Sequence, residues 1–250
     1  MKRSLIAFSL LAATAGIFSP PLYADQAATQ PANVSNAKGA EGTSATVAKL
    51  EQAEQLASYA RQNQAPVVML AAVQMMEQIQ LQDNPGRFGQ KEPKPEAQAQ
   101  NSPAGKKGDS PAPSSDPLKL LAEAKQWAKD DDKVSALIDA EIAKVKELSG
   151  GTLGASSGPI LHKDEVDPYT SDYYTVMFDG GQPAAVGIDG DDDTELDLYI
   201  YDENGNLISS NEAGTTDHRI CRWTPSWTGK FKIRIYNRGG VYNNYLLSSN

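Results

Sequence analysis

Residues 187–210 read GIDGDDDTELDLYIYDENGNLISS. Asp189, Asp191, Asp192 and Asp193 run straight into residues 195–201, where Leu196, Leu198 and Ile200 alternate with Asp197, Tyr199 and Tyr201. Period-two alternation places one set on each face of a strand. Glu203-Asn204-Gly205-Asn206 then supplies a turn, and a second strand starts at Leu207. The stretch is therefore a β-hairpin with an acidic mouth.

Working outward, short alternating runs recur at 173–178, 184–188, 218–224, 230–236 and 244–248, separated by turn residues such as Asp179-Gly180-Gly181-Gln182-Pro183. Short strands at this spacing predict an antiparallel sandwich. Phe231, Ile233 and Ile235 share a face, so these three and Leu196, Leu198 and Ile200 are the expected core. Trp223 and Trp227 are expected to pack at a corner, a sugar-binding platform being the other reading.

Several of these runs resemble a known family. Asp172-Tyr173-Tyr174-Thr175-Val176, Asp197-Leu198-Tyr199-Ile200-Tyr201-Asp202 with Asn204-Gly205-Asn206, Thr228 to Asn237, and Gly239-Gly240 with Asn244 to Leu247 follow one another in order. Together they resemble the bacterial pre-peptidase C-terminal domain, related to the collagen-binding domains of clostridial collagenases, over roughly the last third of the chain. The resemblance implies a jelly-roll-like β-sandwich of the kind attached to secreted enzymes, where it aids secretion, targeting or adhesion. No peptidase domain is legible ahead of it, which departs from the family's usual setting. Some relatives bind calcium, and by position the resemblance points to Asp172, Asp189, Asp191, Asp193 and Asp197 as metal ligands.

The chemistry of the loop is compatible with that expectation, because a hard cation takes six to eight oxygen ligands. An EF-hand is excluded: its glycine position holds Thr194 and its terminal glutamate position holds Ile200. The alternative is a solvated acidic loop that keeps the sheet edge soluble. On the opposite strand face, Tyr199, Tyr201, Arg234 and Tyr236 combine aromatic rings with a cation. They are the candidate partner-binding residues for a protein or polysaccharide of the cell envelope or extracellular matrix. Tyrosines that merely cover the pleat are the other reading.

The N-terminal part sets an address. Lys2 and Arg3, the apolar run 5–18 and a small residue at Ala24 predict a secretory signal over 1–24, so the chain is expected to be periplasmic or secreted. Residues 25–43 have no apolar period and read as a disordered leader. A helical hairpin is expected over 44–83, with Val47, Leu50, Ala53, Glu54, Ala57 and Ala60 as a stripe and Pro66 opening its second helix. Residues 84–116, rich in Pro, Lys, Gln, Gly and Ser, read as a disordered linker. A second helical hairpin over 117–149 follows, capped at Ser115 or Asp116. The two hairpins form a weak internal repeat, with Leu50 on Leu118, Tyr59 on Trp127 and Leu70 on Ile138; a common bundle is expected, and a docking surface for a partner is the other reading. Residues 150–162 read as a hinge before the sandwich at 163–250.

The fold class is thus α plus all-β. The chain carries a formal charge of -9 and a mean hydropathy of -0.48, which argues against nucleic acid as a partner. No later run approaches the length of a membrane span. Its one cysteine, Cys221, forms no intramolecular disulfide. An enzyme is not expected. The match to GxSxG at 154–158 lacks its strand and helix, there is no HExxH pair, and His218 and Cys221 fall on opposite faces of a strand. A hydrolase, and an accessory, chaperone or inhibitor acting in trans on a secreted peptidase, are the alternatives to a calcium-stabilised adhesion protein.

Overall fold

The computed structural model describes residues 30–35, 42–79, 88, 90–93, 107–108, 112–149, 160–212 and 214–250. The expected signal sequence, the GxSxG match and most of the stretches read as leader, linker and hinge lie outside the described residues. The elements are α1 (Gly42–Asn63), α2 (Pro66–Glu77), α3 (Pro117–Trp127) and α4 (Asp132–Ser149), then β1 (Ile160–Val166), β2 (Ser171–Phe178), β3 (Ala184–Asp189), β4 (Leu196–Tyr201), β5 (Leu207–Asn211), β6 (Arg219–Trp223), β7 (Gly229–Asn237) and β8 (Asn243–Ser249).

The strands form two four-stranded antiparallel sheets, ordered β1-β8-β3-β6 and β2-β7-β4-β5, which is a jelly-roll sandwich. All six expected core residues point between the sheets and are fully buried. Phe178, Trp223 and Phe231 meet there with ring centroids 4.9 to 5.8 Å apart; Phe178 meets both others edge-to-face, the arrangement aromatic quadrupoles favour, and Trp223 is tilted against Phe231. Trp227 sits at the rim, where its indole N–H donates to Glu203 at 2.6 Å. At the hairpin turn the Asp202 carboxylate accepts the backbone N–H groups of Asn204 and Asn206, both at 2.9 Å, an Asx-type closure.

β1 is a strand the sequence reading did not place. Its inward positions are Ile160, His162, Asp164 and Val166, so two polar residues interrupt the apolar alternation. They are tolerated because Phe88, from the stretch read as linker, is buried against them: its ring lies 5.8 Å from His162 and 6.3 Å from Tyr174. The leader also departs from expectation at one point. Asn33 is buried, donates its backbone N–H to Asp202 at 2.9 Å, and its side chain brackets Trp227. Neither segment is featureless where it touches the sandwich.

The four helices share one apolar cluster built from Leu50, Ala53, Ala60, Met69, Val73, Leu120, Leu121 and Ile138 among others, as the bundle expectation required. Asp116 caps α3 by accepting the N–H of Leu118 at 3.0 Å, and Asp131 caps α4 through Lys133 and Val134. α1 has two working faces. Its Leu and Ala stripe packs on the other helices, while Val47, Glu51, Glu54 and Ser58 look onto β3 and β6. This close approach depends on Gly187, where an added Cβ would stand 2.8 Å from Ser248 Oγ and 3.5 Å from Val47. Gly187→Leu is therefore expected to lift α1 and lower stability by about 1 to 3 kcal/mol, read from urea unfolding, whereas Gly187→Ala should cost less because the serine hydroxyl can rotate away.

Candidate functional site

Two surfaces bring chemistry-bearing residues together. The first is the acidic mouth of the β4-β5 hairpin, which lies beneath α1. Asp189 ends β3 on its outer face, and His218 precedes β6, the strand paired with β3. His218 Nδ1 ion-pairs with Asp189, while its Nε2 stands 3.4 Å from Asp192 Oδ1 and 3.6 Å from Asp217 Oδ1. Asp217 is buried, and its Oδ2 accepts the Asp192 backbone N–H at 2.7 Å and the Asn243 amide at 3.1 Å. α1 contributes Ser58, whose hydroxyl donates to Asp192 Oδ2, and Glu54, buried and facing Asp189 and His218.

The electrostatics follow from this packing. Burial alone would depress the His218 imidazole, but its contacts with Asp189 and Asp192 and the field of Asp217 prevail and push it up to about 11. Burial pushes the Asp217 carboxyl up to about 6, against the lowering pull of His218. Glu54 is raised well above the usual carboxylate range, first by burial and then by Asp189. At neutral pH one imidazolium is thus held among carboxylates.

Gly190 makes the packing possible. A Cβ there would fall 2.1 Å from Asp217 Oδ2 and 2.7 Å from Asn243 Oδ1.

The structure does not gather the five carboxylates expected as calcium ligands into one cage. Asp191 and Asp193 share the Lys107 ammonium, and Asp191 also accepts the Asn244 backbone N–H at 2.9 Å. Asp189 belongs to His218. Asp197 lies on the outer face of β4 and pairs with Arg238 at 2.5 Å. Asp172 points the other way, between the sheets, where it accepts the Tyr245 hydroxyl at 3.0 Å and pairs with Lys91 at 2.8 Å. That inner network continues through Tyr174, which donates to Asp164 at 2.6 Å. Asp164 is held well below the usual carboxylate range although burial acts to raise it, because hydrogen bonds with His162, Tyr174 and Lys91 outweigh the burial.

The second surface is the outer face of the β2-β7-β4-β5 sheet. α1 packs against β3 and β6 of the other sheet, and residues 90–92 cross the β2 edge, where the Glu92 N–H donates to Tyr173 O at 2.9 Å and its carboxylate accepts from Thr175 and Lys232. On β7, Arg234 sits between two rings, 5.0 Å from the centroid of Tyr199 and 5.2 Å from that of Tyr236. Tyr201, half-buried, stands opposite Lys232, and Lys232 lies 5.8 Å from the Tyr173 ring. All four residues expected to bind a partner therefore share one face. Met177 and Leu207, both exposed, lie at its margins.

His218, Asp217, Asp192, Ser58 and Lys107 were not singled out as site residues from sequence. The signal available was the Asp217-His218 pair just before a strand.

No family model matches the chain, and no curated protein matches it. Solved structures do. The chain is similar to the pre-peptidase C-terminal domain of collagenase from Bacillus anthracis, at 14% identity over 36% of this chain and 88% of that one, with a TM-score of 0.29. It is also similar to PliG of Aeromonas hydrophila, a periplasmic inhibitor of g-type lysozyme, at 11% identity over 40% and 91%, with a TM-score of 0.31. A third is a carbohydrate-binding module solved with β-1,4-galactotriose, at 18% identity over 35% and 68%, with a TM-score of 0.26. At these scores the likenesses bear on neither ligand nor location. Among the described residues, no helix is long and apolar enough to cross a membrane.

Proposed function

We propose that this chain is an exported, non-catalytic binding protein that grips a protein partner with the outer face of its β2-β7-β4-β5 sheet. The observation that carries the reading is Arg234 seated between Tyr199 and Tyr236 on the outer face of the sheet other than the one α1 packs against. Tyrosine and arginine are among the residues enriched at energetic centres of protein interfaces, the first because its ring offers apolar area with a polar tip, the second because its planar guanidinium stacks on rings while donating several hydrogen bonds. A sugar ring would need an open aromatic face, and here the guanidinium already lies over both rings. Protein is therefore favoured over polysaccharide.

The test is co-sedimentation of the chain with isolated envelopes of its host, before and after protease treatment of those envelopes. Wild type is expected to pellet with untreated envelopes and to lose this on protease treatment. Tyr199→Ala with Arg234→Ala should weaken binding at least about tenfold, equivalent to about 1.4 kcal/mol, while melting within a few degrees of wild type. Binding that survives protease but not glycan digestion would move the partner to polysaccharide. Binding undiminished in the double variant would remove this face from the function.

A further inference from the structure

We infer that Asp192, Asp217 and His218 form a binding site for a divalent transition cation of the zinc class, with Asp189 orienting the histidine. The three donor atoms all lie within 4.8 Å of one another. His218 Nε2 is 3.4 Å from Asp192 Oδ1 and 3.6 Å from Asp217 Oδ1. An ion bound tetrahedrally at zinc's usual 2.0 to 2.1 Å from nitrogen and oxygen spaces its ligands about 3.4 Å apart. The two edges measured from the imidazole nitrogen are of that size.

Independent features point to a ligand here. Asp217 Oδ1 is buried and has no hydrogen-bond partner, while Oδ2 of the same carboxylate is fixed by Asp192 and Asn243. The carboxylate is thereby held with one oxygen directed at His218 and unused. From α1, Glu54 is only 4% exposed, and its Oε1 also has no hydrogen-bond partner. A buried polar atom left without a bond is costly, and an ion or its bound water would remove that cost.

The surrounding groups have the roles that outer partners take at metal centres. Asp189 occupies His218 Nδ1, which directs Nε2 toward the site, as in carboxylate–histidine–metal arrangements. Ser58 holds Asp192 Oδ2 and leaves Oδ1 to ligate. A cleft lined by Asp192, Thr194, Thr216 and Asp217 gives entry and a place for a water as fourth ligand. One imidazole nitrogen with two carboxylates suits zinc, cobalt or nickel better than calcium, which takes six or more oxygens. Because Ser58 belongs to α1, a bound ion would tie the helical layer to the sandwich.

The site is tested on the full chain, without an affinity tag, after chelator treatment. One equivalent of zinc is expected to raise the melting temperature by several degrees, more than calcium does at the same concentration. Cobalt should give ligand-field absorption of tetrahedral intensity. Asp192→Asn, at an exposed position, and Asp217→Asn should each weaken zinc at least tenfold. If His218→Gln does not fold, Asp192→Asn decides the matter. Absence of both the melting response and the cobalt bands overturns the assignment. So does zinc binding that is unchanged in both asparagine variants or lost only in His162→Gln, and so does calcium matching zinc.

Discussion

His218→Gln is expected to lower the stability of the chelator-treated protein by about 3 to 5 kcal/mol, measured by urea unfolding, a loss typical of breaking a buried ion pair. The substitution keeps side-chain size and removes the charge. Asp189 and Asp217 are then left buried without the imidazolium between them. Asp192, Glu51 and Glu54 face the same place, the last two from α1. Their mutual repulsion in a poorly hydrated seam acts between the helical layer and the sheet, so α1 should loosen before the sandwich does. Hydrogen exchange in residues 47–58 would report this. A loss below about 1 kcal/mol would mean that the carboxylates relax into solvent, and that the imidazolium contributes little.

The same group fixes a pH dependence. His218 is raised to about 11 in the folded chain, against roughly 6.5 when unfolded. A group whose folded value is raised stabilises fully below its unfolded value, and that contribution is lost as pH climbs through the folded one. Asp217, raised to about 6, acts with the same sign at lower pH, from roughly 4 upward. In chelator the melting temperature should therefore fall between about pH 6.5 and 11, and His218→Gln should flatten that slope. A wild-type slope equal to the variant's would show that the imidazole is not held protonated by its neighbours.

Legibility in the sequence tracked whether a residue's partners lay in the same short run. Leu196, Leu198 and Ile200 announce a buried face because alternation is local, and the same holds for Phe231, Ile233 and Ile235. The shared outer face of Tyr199, Arg234 and Tyr236 follows from the same parity. β1 was not legible, since His162 and Asp164 occupy inward positions that only Phe88 makes tolerable. The site under α1 was hidden for a related reason. It requires β3 to pair with β6, strands not consecutive in the chain, and it requires α1 to cross both. The acidic loop itself is conspicuous, yet its aspartates and Asp172 do not converge on one point, because alternation sends Asp172 inward and Asp197 outward. Asp192, which is outside that set, turns back toward His218 through a left-handed backbone conformation at φ 64°.

Phe88→Ala is expected to cost about 3 to 5 kcal/mol, as large as a core aromatic deletion within a regular strand. Composition around Phe88 is dominated by Gln, Lys, Pro and Gly, and nothing in it marks a core residue. Yet the ring is fully buried, joins the sandwich core and packs edge-on to Tyr174 and tilted over His162. Removing it opens the gap between β1 and β2 to water at a point where Asp164, Asp172, Tyr174 and Tyr245 form a buried polar network. The loss should exceed that of the transfer term alone, since hydration weakens those hydrogen bonds too. Anchorage downstream should fail with it. Lys91 reaches Asp164 and Asp172, and Glu92 bonds Thr175 and Lys232, so the segment is held by the ring and by these pairs together. Trypsin cleavage after Lys91, resisted by wild type, should become fast in Phe88→Ala, while Phe88→Leu should keep most of the protection. Unchanged urea stability and unchanged cleavage in Phe88→Ala would show that the sandwich closes without this segment. In that case residues 88–92 would be passengers on its edge.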